Sequence, residues 1–252
     1  MKFGRLIGIL IVTFAVGITT LWSQSAGQIT KDAQAIAILQ RTSAVLARGP
    51  VKTPYILTGQ VLDPGTDEQI GTFILQVRGS DFKFESVKNG VARDYAVIAG
   101  RAFSRTQGKA KSIPDYNAVD LSPDIIPNFS HWTRFAEGAT EVMSQGTSTE
   151  DGQELVSIRV RPERGSSHKN RHLEQTILIN PQTFEIRELR YEGTQGTVSG
   201  SEIEVANVYS DYENFGALRV PTTIKRRLAG KIVAVLKVQN VQAGAALDSD
   251  FQ

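Results

Sequence analysis

Phe82-Lys83-Phe84-Glu85-Ser86-Val87-Lys88-Asn89-Gly90-Val91-Ala92-Arg93-Asp94-Tyr95-Ala96-Val97 is the stretch that decides how this chain folds. Large apolar side chains alternate with polar ones on both sides of Asn89-Gly90. A period of two puts one set of side chains on one face of a strand, and Asn-Gly suits the left-handed positions of a tight hairpin turn. The stretch predicts two antiparallel strands that bury a single face. The same alternation runs upstream through Phe73, Leu75 and Val77 and through Tyr55, Leu57 and Val61, with Asp63-Pro64-Gly65-Thr66-Asp67 as the turn between them. Downstream it predicts a short strand at 102–105, and further strands at 139–148, 154–161, 172–180, 184–192, 202–213, 218–229 and 231–241. Asn180-Pro181-Gln182-Thr183 and Glu213-Asn214-Phe215-Gly216 read as turns between strands.

One helix precedes the strands. Ala35, Ile38, Leu39, Thr42, Val45 and Leu46 recur at helical spacing; Thr30 is placed to cap the start and Asp32 favours the positive end. Arg48-Gly49-Pro50 is a stop signal. The fold class is therefore α+β: a single curved antiparallel sheet of roughly 10–12 strands, wide enough that it must curl, packed on a helix at 31–47.

The stretch 107–137 breaks the rhythm. Pro114, Pro123 and Pro127 cannot be ladder strands, and Ser122-Pro123-Asp124 is a helix start with proline in the first turn. Ile125, Ile126, Phe129, Trp132 and Phe135 are expected on short helices, either as ordinary globular core or as a lid that points into the hollow of the sheet and lines an apolar, lipid-sized cavity. Arg226 is the sixth candidate. Leu218, Val220, Thr222, Ile224, Arg226 and Leu228 share one strand face, so a single cation interrupts an apolar row. Either it meets a ligand or it marks the sheet edge where the face meets water.

Composition sets the class. The 252 residues include 28 basic and 26 acidic side chains, 3 histidines and no cysteine, for a net charge of +2. At 40% hydrophobic and 21% charged, the chain is neither disordered, collagen-like nor disulfide-stapled. Lys2 and Arg5 precede an uncharged run from Leu6 to Trp22, and the small residues Ser23, Ser25, Ala26 and Gly27 follow. That is the layout of a secretory signal peptide over 1–26, ahead of a single domain at 27–252. An uncleaved inner-membrane anchor is the alternative, since the run is at the low edge of what spans a bilayer. The location expected is periplasmic or secreted, with membrane contact through the signal segment only. Cleavage after Ala26 removes Lys2 and Arg5 and no acid, leaving 26 basic and 26 acidic residues, so no nucleic-acid partner is expected.

Catalytic motifs are weak or missing. Arg159, Arg161, Arg164, Lys169 and Arg171 crowd together with His168 and His172, a pattern that solvated hairpin loops commonly produce. His168 and His172 need a helix to share a metal, which Gly165-Ser166-Ser167 argues against. Ser166-Ser167-His168-Lys169 fits S-x-x-K by chance, without a K-T-G partner. Gly193, Gly196 and Gly200 form no phosphate loop, and Asp115, Asp120 and Asp124 read as turn and capping acids. No metal and no cofactor are expected.

Val208-Tyr209-Ser210-Asp211-Tyr212, then Phe215-Gly216-Ala217-Leu218-Arg219-Val220-Pro221-Thr222-Thr223-Ile224, with Gly230-Lys231 and a closing strand toward Leu247-Asp248-Ser249-Asp250-Phe251, resembles a group of exported bacterial proteins. The layout over 30–251 resembles the LolA/LolB-like lipoprotein carriers: a signal, one helix, a curved half-barrel and short helices over its hollow. The resemblance implies architecture, and no functional residue is carried over from it. With the missing motifs it implies an exported, non-catalytic protein, not an enzyme, whose apolar hollow holds a lipid or acyl chain in the cell envelope. A scaffold or regulatory protein that uses the half-barrel for protein contact, and a hydrolase with an unfamiliar site, are the alternatives.

Overall fold

The alternation becomes one sheet. The computed structural model describes residues 30–48, 54–79, 81–98, 101–106, 109–113, 140–162, 174–193 and 202–247. Helix α1 (Ala33–Leu46) is followed by thirteen strands: β1 (Tyr55–Leu62), β2 (Gln69–Arg78), β3 (Asp81–Lys88), β4 (Val91–Ile98), β5 (Arg101–Thr106), β6 (Lys109–Ile113), β7 (Thr140–Glu150), β8 (Gln153–Pro162), β9 (Gln175–Ile179), β10 (Ile186–Gly193), β11 (Ile203–Phe215), β12 (Leu218–Leu228) and β13 (Lys231–Ala243). Their order is β6-β5-β4-β3-β2-β1-β13-β12-β11-β10-β9-β8-β7. Every pairing is antiparallel, and β6 and β7 stand at opposite edges, so the sheet curves into an open half-barrel.

Among the described residues thirteen strands pair, against the roughly 10–12 expected, and β6 is one the periodicity missed. Lys109-Ala110-Lys111-Ser112-Ile113 is too short and too polar to alternate visibly, and it reads as part of the irregular stretch until it pairs with β5. The lid proposed for Ile125, Ile126, Phe129, Trp132 and Phe135 lies outside the described residues, as does the signal segment. Among the described residues no helix is long and apolar enough to cross a membrane.

Short turns set the register. Lys88 pairs with Val91 around Asn89 (φ 50°) and Gly90 (φ 76°), the left-handed pair that a two-residue hairpin needs. Ala229 (φ 46°) and Gly230 (φ 78°) make the corresponding turn between β12 and β13. Asn180 Oδ1 accepts from the backbone N–H of Gln182 and Thr183 and so bends the chain between β9 and β10.

One face of the sheet carries the core. Here called the inner face, it presents Tyr55, Leu57, Phe73, Leu75, Phe82 and Phe84 from β1–β3, and Val142, Ile158, Ile177, Leu189, Tyr209, Val220 and Ile224 from β7–β12, in one continuous cluster. Helix α1 lays Ala35, Leu39, Thr42 and Leu46 on the same side, the stripe that a 3.6-residue repeat produces. Backbone bonds pin both its ends. Asp32 N–H donates to the Val142 carbonyl at 2.8 Å and Val142 N–H to Thr30 at 2.9 Å, tying the start to β7; Arg48 N–H donates to Ala217 at 2.9 Å, tying the end to the β11–β12 turn. The helix thus crosses the β7–β12 half of the sheet diagonally.

The cap is Asp32, not Thr30. Its carboxylate accepts from the N–H groups of Gln34 (2.8 Å) and Ala35 (3.1 Å), while Thr30 is committed to the bridge with β7. The Ala35 bond above all holds the Asp32 carboxyl below its ordinary range. A folded-state pKa below the unfolded one adds stability that is present above the unfolded pKa of about 3.9 and lost as pH falls through the folded value. Asp32→Ala is therefore expected to lower the thermal midpoint at pH 7, and the gap to the parent should close in melts run toward pH 3. A gap of constant size across that range would show that the carboxylate charge has no part in the cap.

Candidate functional site

The inner face divides into two regions of different chemistry. On β2–β4 it is aromatic. Phe73 stacks on Phe84 with ring centroids 5.8 Å apart, Phe84 meets Tyr95 at 5.1 Å, and Tyr95 meets Phe82 edge-on at 6.0 Å. The pairing Leu75↔Phe84↔Tyr95 and Val77↔Phe82↔Val97 puts these rings on one side of three adjacent strands. Phe73 also covers Gly59 of β1, where an added Cβ would stand 2.7 Å from Phe73 Cε1. Tyr55 is buried on the same face, and burial pushes its hydroxyl pKa well up, so it stays neutral.

On β7–β12 the inner face is mainly aliphatic, with Tyr209 buried in it, and it carries a polar spot at Asn207, Arg226 and Tyr191, next to Gln175, which pairs with Tyr191. Asn207 stands directly opposite Arg226 across the β11–β12 pair and opposite Leu189 across the β10–β11 pair. Arg226 Nη2 donates to Tyr191 Oη at 3.0 Å. Asn207 is fully buried, Tyr191 is nearly so, and Arg226 is half-buried. β12 lies between β11 and β13, so Arg226 is not at a lateral edge of the sheet. It sits two residues before the end of β12, at the rim where the strands stop. The sequence singles out Arg226 but neither partner. Val205, Asn207 and Tyr209 alternate in β11, and Asn207 as the polar member of that inward row was the available signal.

Other charges turn away. Arg227 follows Arg226 and faces the opposite side, where Nη1 lies 3.9 Å from Glu188 Oε2. Arg190 holds Glu188 at 2.5 Å and Glu150 at 3.0 Å. The crowded arginines of the sequence are likewise in pairs: Arg161 binds Glu141 and lies 3.8 Å from Glu174, and Arg159 lies 3.8 Å from Glu174. Residues 163–173, with Arg164, His168, Lys169, Arg171 and His172, are outside the described residues, as are Asp115, Asp120 and Asp124. Among the described residues no three His, Cys, Asp or Glu side chains gather in a way that could hold a metal ion.

No protein-family model matches the sequence, and no curated protein sequence does. Solved structures share the fold. A protein domain of the outer-membrane lipoprotein-sorting type from Vibrio parahaemolyticus superposes with a TM-score of 0.56 at 12% identity, over 86% of this chain and 95% of that one. A LolA superfamily protein from Nitrosomonas europaea gives 0.54 at 14% identity, over 86% and 97%. A DUF1329 family protein from Desulfovibrio piger gives 0.57 at 13% identity, over 87% and 96%. The chain has the LolA-like half-barrel fold, as the resemblance implied.

Proposed function

We propose that this chain is an exported, non-catalytic binding protein that holds the acyl chain of a lipid on the inner face of its half-barrel, within the cell envelope. One observation carries the reading: the aromatic row on β2–β4 lies on the half of the inner face away from both anchor points of α1. Flat rings over a broad apolar face suit a long methylene chain, which makes no directional demands of its wall. The lipoprotein-sorting name of a fold neighbour points the same way. In this reading the signal segment is removed, Ile125, Ile126, Phe129, Trp132 and Phe135 cover the bound chain, and Arg226 meets its polar end.

Protein purified from a cell envelope is expected to carry an acyl lipid as an added mass in native mass spectrometry. After delipidation, the emission of Trp132 should shift saturably with a long-chain fatty acid; Trp22, the other tryptophan, leaves with the signal. Bare protein of the calculated mass that shows no saturable response to any acyl ligand would refute the reading.

A further inference from the structure

We infer that Met143 is a site of reversible oxidation, and that Arg159 opposite it is set to hold the oxygen of the methionine sulfoxide. The inference is independent of what the inner face binds.

The first argument is how the guanidinium is partnered. Met143 on β7 and Arg159 on β8 face each other directly across the ladder, and Arg159 Nη2 donates to Met143 Sδ at 3.2 Å. The neighbouring pair, Val142 and Val160, fills the inner core, so strand alternation puts Met143 and Arg159 on the outer face. Arg159 Nη1 lies 3.8 Å from Glu174 Oε1, while Nε is buried and has no hydrogen-bond partner. In a guanidinium the Nε–H and one Nη2–H point the same way, as the two arms of a fork that grips oxygen. Here one arm rests on a thioether, a weak acceptor, and the other is empty. A buried donor left without an acceptor is costly and rare.

The second argument is what oxidation does to that sulfur. A hydroperoxide oxidises a thioether by oxygen transfer. A sulfur lone pair attacks one peroxide oxygen, an S–O bond forms as the O–O bond breaks, and the proton of the transferred hydroxyl passes to the departing oxygen. Sulfur gives up two electrons, and hydrogen peroxide leaves as water. A dithiol reductant reverses the change, giving thioether, disulfide and water. In most packed sites a sulfoxide disrupts, because a polar oxygen enters apolar surroundings. At Met143 the new oxygen stands on the atom that Arg159 already touches, within reach of both arms of the fork.

The third argument is position. Met143 is half-buried on β7, which among the described residues has no full strand beyond it, so a small peroxide has access. Between residues 30 and 252 there is no cysteine and no other methionine, which makes this thioether the only sulfur of the domain. Val142, next to it, makes both backbone bonds that tie the start of α1 to β7. Firmer pairing of β7 with β8 at this point therefore braces the attachment of the helix.

Hydrogen peroxide treatment of the mature protein, followed by mass spectrometry and peptide mapping, should place one added oxygen on Met143. The oxidised protein should melt about 2–4 °C above the reduced one, the shift that roughly one net hydrogen bond makes in a chain of this size. Methionine sulfoxide reductase with dithiothreitol should bring the midpoint back. Arg159→Lys keeps the charge and lacks the fork, so its oxidised form should melt below its reduced form. Met143→Gln puts an amide oxygen near the place of the sulfoxide oxygen. It should melt above Met143→Leu when Arg159 is present and lose that advantage in the Arg159→Lys background, a comparison that needs no peroxide. A Met143 that stays reduced under peroxide that fully oxidises free methionine would overturn the inference. So would an oxidised parent that melts at or below the reduced protein.

Discussion

Gly59→Ala should be among the most damaging single-methyl additions in this protein, lowering stability by about 3 kcal/mol or more, at or beyond the top of the usual range for overpacking. The added Cβ would stand 2.0 Å from the Lys237 carbonyl oxygen and 2.7 Å from Phe73 Cε1. Neither can retreat cheaply. The carbonyl belongs to the β13 backbone, and the Phe73 ring is wedged against Phe84. The site also sits on the seam of the fold. Strands β1–β6 join strands β7–β13 through the β1–β13 ladder, where the register shifts at Thr58/Gly59. Glycine at this shift lets the two backbones approach, and the ring then covers the space a side chain would have filled. In a chain of this size the loss corresponds to a thermal midpoint about 10 °C lower. Gly65→Ala is the control: its Cβ meets only the Asp63 side chain at 3.3 Å in an exposed turn, so it should stay within about 0.5 kcal/mol of the parent. If Gly59→Ala melts with Gly65→Ala and the parent, the seam tolerates the methyl and the packing account is wrong.

The contrast between Gly59 and Asn89-Gly90 shows what the residues make legible. Asn89-Gly90 acts locally, and its turn follows from two residues whose backbones accept positive φ. Alternation is equally local, which is why β7, β8 and β10–β13 appear within a few residues of their predicted places. The open curl follows from strand number, since a sheet this wide cannot stay flat. Gly59 has no local signature. Its role exists only once β13 lies beside β1, 178 residues along the chain from Gly59 to Lys237. The same holds for the polar spot on the inner face. Arg226 stands out because a cation breaks a row of apolar residues in its own strand. Tyr191 and Asn207 join it only through the register of β10, β11 and β12. The cap shows a third kind of gap. Thr30 and Asp32 both suit a helix start and both lend their backbones to the Lys31 bridge with β7; what separates them is that the helix begins at Ala33, directly after Asp32.

Replacing Phe73 by alanine should cost about 3–5 kcal/mol, the range for deleting a fully buried aromatic ring. Phe73 is 2% exposed, so nearly all of its surface is lost from contact when the ring is removed. With total stabilities of about 5–15 kcal/mol in single domains, the variant would be near unfolding at 37 °C. The loss should not be independent of its neighbour. Phe84 stacks on Phe73 at an interplanar angle of 19° and leans on Tyr95 in turn, so each ring holds the next in place. Urea denaturation of Phe73→Ala, Phe84→Ala and the double variant should show the double losing less than the sum of the singles by about 0.5–1.5 kcal/mol, the coupling expected of an aromatic pair. That coupling bears on function as well as on stability. Phe73, Phe82 and Phe84 are buried in the continuous core cluster, so an apolar chain would reach them only by displacing what covers them. Rings that brace one another would keep their own arrangement and spare the cost of ordering the wall at binding. Strict additivity would mean that the rings contribute area alone, and the case for a preformed wall on β2–β4 would fall with it.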